Sequence, residues 1–421
     1  MQVAVIGAGI VGVTTAYELA VQGHQVAVFE RRATVASEGS FANAGVMAPG
    51  YVTPWAAPGM PWKVLRHGLS RDTPVRLGGL GGLRALAQAP WLWRWWRACR
   101  PQVHTANRTA MQRLAQFSRQ RTLELTHSLR LEYEQTTGYL VLLRSESELA
   151  AAQRGLLLLR ELGVEHAVID AQRCRQLEPA LNADARLHAA IHLPQDGVGN
   201  CRQFAQLMKA HAQRLGVVFR FDTHVQALKP GAHPVLRTAA GEEWSFDAVV
   251  VCAGVQANVV LSSVGVRLPL APVYGYSVTA PLRHVDGQAN LGPRAALMDE
   301  RYKVAISRLG QRIRVAGGAE IGGRADDMRK APLRTLYRVL EEWFPGSTVT
   351  REAQLWKGAR PMLPDGPPVL GESGAPGVWL NLGHGSSGWA LACGSARVLA
   401  ERISGRDAPI DTSRLTAARW H

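Results

Sequence analysis

The chain has 421 residues, 47% of them hydrophobic, with 42 glycines and 23 prolines; this is ordinary for a globular protein and enough for two domains. Its net charge of +15 is almost all arginine, 42 against 6 lysines. No dense Lys/Arg run or nucleic-acid motif accompanies that charge, which excludes a nucleic-acid partner and leaves an anionic membrane surface or a plain bias toward Arg codons. The five cysteines (Cys99, Cys174, Cys201, Cys252 and Cys393) scatter without a CxxC pair. Neither a disulfide framework nor a metal site is expected, and reduced thiols facing the cytosol fit best.

The chain opens MQVAVIGAGIVG. A secretory signal would place Lys or Arg before the apolar run, whereas the first Arg is Arg31. A membrane helix needs about 20 apolar residues, and three glycines and Glu18 interrupt this one. A buried strand explains every position. Val3–Ile6 is a short apolar run, as in a strand covered on both faces. Gly7-Ala8-Gly9-Ile10-Val11-Gly12 is GxGxxG, residues 13–22 have helical periodicity, and 25–29 form a second strand ending at Glu30. Gly7 permits the tight turn, Gly9 lets backbone approach a pyrophosphate, and Gly12 lets helix and strand pack closely. The helix N-terminus offers free N–H groups to phosphate. Glu30, 18 residues past Gly12, can accept hydrogen bonds from ribose hydroxyls and disfavours a 2′-phosphate. NAD and FAD both remain open on this motif.

The next segment, 37–50, is small, polar and glycine-spaced, and such a loop can pass close to a flat ligand. Residues 51–100 read as loop-rich, with VTPWAAPGMPW followed by a Gly/Leu stretch and then WLWRWWRACR. Four Trp among Arg94, Arg97 and Arg100 suit either an interfacial-membrane segment or a helix packing its Trp face inward. Residues 106–130 and 146–162 read as amphipathic helices, 138–143 and 188–193 as strands, and 194–197 as a turn. A helix over 201–215 leads to strands at 217–221 and Val225 of the nucleotide domain. DAVVVCAG, 247–254, is a buried strand running into Ala253-Gly254, a second small-residue turn near a cofactor. Residues 272–320 alternate with period two, which predicts an antiparallel sheet with one covered face and one lining a cavity. A helix follows at 333–344. Finally 356–371 and 378–390 are dense in glycine, and the second reads as strand, turn and helix, its N-terminus suited to the electron-rich edge of a flavin. HExxH, GxSxG and GxxxxGK[ST] are all missing from the sequence.

VAVIGAGIVGVTTAYELA, ANAGVMAPGYVTPWAAPG (42–59), GYS (275–277), YKVAISR (302–308), KGARPMLPDGPPVLG (357–371) and NLGHGSSGWALACGS (381–395) extend from end to end. With them the chain resembles the D-amino acid oxidase/glycine oxidase superfamily of FAD enzymes, its D-amino acid dehydrogenase branch most of all. The resemblance implies an α/β fold: a Rossmann-type FAD-binding domain and a substrate domain on a mixed, largely antiparallel sheet. It implies FAD domain segments 1–60, 196–265 and 355–421, and substrate domain segments 61–195 and 266–354. The implied reaction oxidises a D-amino acid to an imine, which hydrolyses to a 2-oxo acid and ammonia. The Cα hydrogen leaves as hydride to flavin N5, and electrons pass to a quinone or another acceptor. An imino acid dehydrogenase or an oxygen-using oxidase is the alternative.

Residue by residue, Arg360 matches the arginine of G-x-R-P that clamps the substrate carboxylate, a bidentate task suited to its guanidinium fork. Tyr302 matches a substrate-side tyrosine, and Tyr276 is a second such candidate. Gly7, Gly9, Ile10, Val11 and Gly12 match the phosphate turn, with Glu30 and Arg31 at the ribose. Ser40, Asn43, Ala44, Gly45 and Val46 match the loop near the flavin, and Val225 a backbone contact to adenine. Ala253 and Gly254 join this set from the second turn. Gly383, His384, Gly385, Ser386, Ser387 and Gly388 match the flavin-edge turn. Two positions depart: Ser386 stands where glycine oxidases have an arginine, and Tyr274 where the dehydrogenases have a lysine or similar residue. The implied location is cytoplasmic, with residues 91–100 touching the inner membrane from that side.

Overall fold

The opening strand, Gln2–Ile6, is central because both of its faces are apolar. Val3 and Val5 point into one core and Ala4 and Ile6 into another. In the computed structural model, which describes residues 1–67, 75–77, 83–284 and 290–420, this strand pairs in parallel with Gln25–Phe29 on one side and Ala248–Val251 on the other. Val218–Arg220 and Val378–Leu382 extend the parallel sheet, and antiparallel Val369–Glu372 closes it at six strands. Helices Ile10–Val21, Cys201–Arg214 and Gly388–Ile403 cover the Val3/Val5 face. A three-stranded antiparallel sheet, Val225–Lys229, Val235–Thr238 and Glu243–Ser245, covers the other. Val225 therefore belongs to that small sheet rather than to the parallel one.

The second sheet carries the period-two segments. Its main path runs Gln354–Met362, Ala271–Pro281, Arg312–Ile321, Val304–Leu309, Ala296–Asp299, Thr136–Leu143, Ala189–Val198 and Val46–Met47. Pairing is antiparallel except between Ala296–Asp299 and Thr136–Leu143 along this path. Alternation sorts the faces as expected. Tyr276 and Val278 join the core beneath the helix Lys330–Trp343, while Ser277 between them points the other way, toward residue 42. This is the Rossmann-type α/β fold with a second mixed sheet that the resemblance implied.

Two local readings differ. Residues 51–100 are less loop-rich than expected: helices span Met60–His67 and Leu83–Ala98, the latter with Pro90 inside. Turn-forming residues suggested loops, but Trp91 and Trp95, one helical turn apart, both pack on Trp55 and stabilise a helix there. Residues 78–82 of the Gly/Leu stretch lie outside the described residues. At 194–197 no turn forms: the strand Ala189–Val198 continues through, with an irregular register against Thr136–Leu143 at this point. Tertiary pairing overrides the turn chemistry there: Gly197 opposes Thr137, and a Cβ on it would lie 2.2 Å from the Thr136 carbonyl oxygen.

Continuation of that strand buries Asp196, whose Oδ2 accepts the Gly50 N–H at 2.9 Å. Burial raises its pKa to about 7. A carboxyl with a raised folded-state pKa contributes stability at low pH and loses it as pH rises through that value. Asp196→Asn keeps an acceptor for Gly50 without the charge. Relative to the parent, its melting temperature is expected to gain steadily between about pH 4 and about pH 7 and to level off above that. A difference independent of pH would show that Asp196 is not strained by burial.

Candidate functional site

A cavity of about 1900 Å³ lies where the two sheets meet, well beyond the roughly 300–1,000 Å³ of a drug-sized ligand site. Gly7, Gly9, Ile10 and Val11 line one end. Gly7 has φ +100°, and a Cβ there would lie 2.8 Å from the Cys252 carbonyl oxygen. Gly12 does not reach the cavity; a Cβ on it would lie 1.8 Å from the Gly7 carbonyl oxygen. It sets how closely helix meets strand. The Ala8 N–H donates to Glu30 Oε2 at 2.7 Å and the Ile10 N–H to Ser40 Oγ at 3.1 Å. Arg31 also borders this end, and its Nε donates to Glu38 at 3.0 Å. Val225, Ala253 and Gly254 line the same cavity.

The loop of Asn43, Ala44, Gly45 and Val46 follows Ser40 along the wall. Three side chains of the second sheet hold it by its carbonyls. Ser277 Oγ donates to Ala42 at 2.8 Å, Arg314 Nη1 to Asn43 at 3.0 Å and Ser307 Oγ to Ala44 at 2.7 Å. Arg314 is almost fully buried, and burial lowers its pKa to about 10. Sequence reasoning singled out none of these three. Their signal was present: polar residues in the middle of apolar alternating strands need a partner.

At the far end Gly383, His384, Gly385, Ser386, Ser387 and Gly388 line the cavity and lead into the helix Gly388–Ile403. No side chain caps that helix, so its N-terminal amides and partial positive charge are offered to the cavity. His384 is no acid or base at neutral pH, since burial lowers its pKa to about 3. Ser395 Oγ donates to the Ala392 carbonyl at 3.1 Å and so accepts from His384 Nε2 at 3.0 Å. Room, a glycine turn that rejects a Cβ, a strand-end carboxylate and an uncapped helix together fit a dinucleotide flavin.

Arg360 sits on the edge strand Gln354–Met362. Its guanidinium lies across Gly275 of the neighbouring strand, where a Cβ would be 2.4 Å from Nη2. Nη1 donates to the Gly318 carbonyl one strand further at 2.6 Å. Gly318 has φ +74° and sits where the register between the strands shifts, which presents its carbonyl. Among the described residues no carboxylate pairs with Arg360. Burial lowers its pKa to about 10, so it is still a cation at neutral pH. Tyr276 and Tyr302 border the cavity, with their polar or ring contacts elsewhere. Tyr276 donates its hydroxyl to buried Glu320 on the opposite face from Gly275. The Tyr302 ring carries the guanidinium groups of Arg144 and Arg338 at 5.3 and 4.7 Å, and its N–H donates to Asp299.

Gly12→Ala tests the turn directly. Overpacking there costs about 1–3 kcal/mol, so flavin retention is expected to fall by about ten- to hundredfold. The flavin-to-protein absorbance ratio reads the loss, with circular dichroism as the check on folding. Full retention would remove the turn from cofactor binding.

A family model described as FAD dependent oxidoreductase matches residues 2–402. The D-amino acid dehydrogenase of Cereibacter sphaeroides is 41% identical over 428 residues, covering 100% of this chain and 95% of that protein. The D-amino acid dehydrogenase of Rhizobium rhizogenes is 39% identical over 423 residues, covering 100% of both. Among solved structures, glycine oxidase from Geobacillus kaustophilus superposes with a TM-score of 0.74 at 20% identity, covering 99% of this chain and 97% of its own. L-proline dehydrogenase from P. horikoshii gives 0.75 at 19% identity, covering 100% and 97%. These two superpositions speak to the fold. Matched along nearly its whole length, the chain belongs to the FAD dependent oxidoreductase family.

Proposed function

We propose that this protein is an FAD-dependent D-amino acid dehydrogenase. The observation that carries the reading is Arg360, a cation without an acidic partner among the described residues, lining the cavity that fits the flavin. A substrate carboxylate would supply the missing anion through two parallel hydrogen bonds. Relatives about 40% identical over the whole chain and named D-amino acid dehydrogenase support the substrate class.

In this reading the turn Gly7–Gly12 holds the pyrophosphate and Glu30, with Arg31 beside it, the ribose. Val225 meets the adenine. Ser40–Val46, Ala253, Gly254 and Gly383–Gly388 surround the flavin. FAD, when bound, supplies a hydride acceptor at N5. Arg360 fixes the carboxylate, which fixes where the Cα hydrogen points, and catalysis is mostly positioning. Neutral His384 contributes no proton transfer; the substrate reacts with its amine already neutral. The resulting imine hydrolyses to a 2-oxo acid and ammonia. Tyr276 and Tyr302 stiffen the substrate side through Glu320 and Asp299. In this reading residues 1–60, 196–265 and 355–421 supply the cofactor domain and 61–195 and 266–354 the substrate domain, with Val46–Met47, the end of Ala189–Val198 and Gln354–Met362 lending strands to the second sheet.

Electrons leave for a quinone or another acceptor in this reading, and residues 91–100 provide the membrane contact. Trp91 and Trp95 are buried, whereas Trp93 and Trp96 are exposed and stacked at 5.0 Å beside exposed Arg94 and Arg97. Both sequence readings thus describe one helix: one edge packs inward and the other offers Trp and Arg to headgroups. No described helix is long and apolar enough to cross a membrane.

Anaerobic D-alanine is expected to bleach the flavin of the purified protein while L-alanine leaves it yellow. Arg360→Leu should retain flavin and lose about 2–5 kcal/mol of carboxylate binding, at least about a thirtyfold rise in KM. An unchanged KM would take the carboxylate role from Arg360. Peroxide yield with and without an artificial acceptor separates a dehydrogenase from an oxidase.

A further inference from the structure

Two glycines face each other across the edge of the second sheet: Gly275 pairs directly with Gly358. Each leaves space that a neighbouring side chain fills. The Arg360 guanidinium occupies the space above Gly275, with Nη2 2.4 Å from where a Cβ would stand. The indole of Trp356 occupies the space above Gly358, its Cη2 and Cζ2 each 2.0 Å from the corresponding point. Trp356, Gly358 and Arg360 alternate onto one face of the strand, since successive side chains point to opposite faces. Directly opposed residues have Cα atoms only about 4.5–5.5 Å apart. The indole and the guanidinium therefore lie side by side on one surface, and both border the cavity.

We propose that Trp356 is the specificity residue that receives the apolar side chain of the substrate. The inference rests on Arg360 as the carboxylate clamp. In an amino acid the side chain branches from the atom next to the carboxyl carbon. A carboxylate seated on the guanidinium therefore has its α-substituent within reach of a surface about 5 Å away. That surface is an apolar, partly exposed ring, which gains from losing water to an apolar group and offers no partner to a charged one. The glycine at 358 is what lets the ring lie there: any Cβ would displace it.

The test uses the flavin-loaded protein and simple carboxylates, read by perturbation of the flavin absorbance, so it needs no turnover. Wild-type affinity is expected to rise from acetate through isovalerate to phenylacetate. In Trp356→Ala the loss should grow with the apolar size of the carboxylate, reaching at least about tenfold for phenylacetate. Trp356→Phe should restore part of the gradient. Gly358→Ala, which displaces the indole without deleting it, should flatten the series as well. A gradient that survives in Trp356→Ala, a loss equal for all three acids, or a gain for phenylacetate would each overturn the role. If the wild-type protein binds none of the acids, the clamp itself is wrong. If it binds them in the expected order yet D-amino acids leave the flavin oxidised, the substrate reading fails while the subsite stands.

Discussion

A half-buried guanidinium lining the cavity, with no counter-ion among the described residues, is the constraint around which this site is built. Arg360 loses hydration and, among the described residues, gains one protein partner, the carbonyl of Gly318. Burying such a charge is costly unless an anion joins it. The fold meets that cost with backbone design rather than with a carboxylate. Gly275 clears a path across its strand, and an irregular register at Gly318 turns a carbonyl toward the arginine. An internal salt bridge would have satisfied the cation and left nothing for a ligand.

The cofactor side depends on the same sheet. The loop of residues 42–46 offers its carbonyls to Ser277, Arg314 and Ser307, which stand on neighbouring strands. The turn at 383–388 is tied to the Arg360 strand by a bridge between Met362 and His384. On the proposed reading, the backbone that would face the flavin and the cation that would face the substrate are therefore fixed to one rigid element, which is what positional catalysis needs. On the other side of the parallel sheet, buried Glu18 pairs with Arg121 at 2.7 Å, and Arg397 approaches it at 3.5 Å. That cluster joins helix Ile10–Val21 to Pro101–Ser128 and Gly388–Ile403. Its worth lies in fixing how the helices dock, since a buried ion pair adds little net stability.

Much of this was legible in the residues. The first strand, turn and helix follow from an apolar run, GxGxxG and helical periodicity, and they form as read, with the helix beginning at Ile10. The antiparallel strands follow from period-two alternation. Less legible was whatever depends on partners distant in sequence. Nothing local says that Ser277, Ser307 and Arg314 would meet one loop, or that 194–197 would be drawn into a strand by the pairing of Gly197 and Val198 with Thr137 and Thr136. The hairpins after Val225 are hard to read because Val235–Thr238 and Glu243–Ser245 are four and three residues long, too short for a period of two to show. Trp356 looked like one member of a glycine-rich cluster; only the register with Gly275 gives it a neighbour.

The most direct measurement is a crystal structure of the flavin-loaded protein soaked anaerobically with a 2-oxo acid. The expected density places the carboxylate against both terminal nitrogens of Arg360, at about 2.7–2.9 Å, with the acid's second carbon over the flavin. A carboxylate bound elsewhere in the cavity, or Arg360 turned into an ion pair with an acidic side chain, would contradict the account.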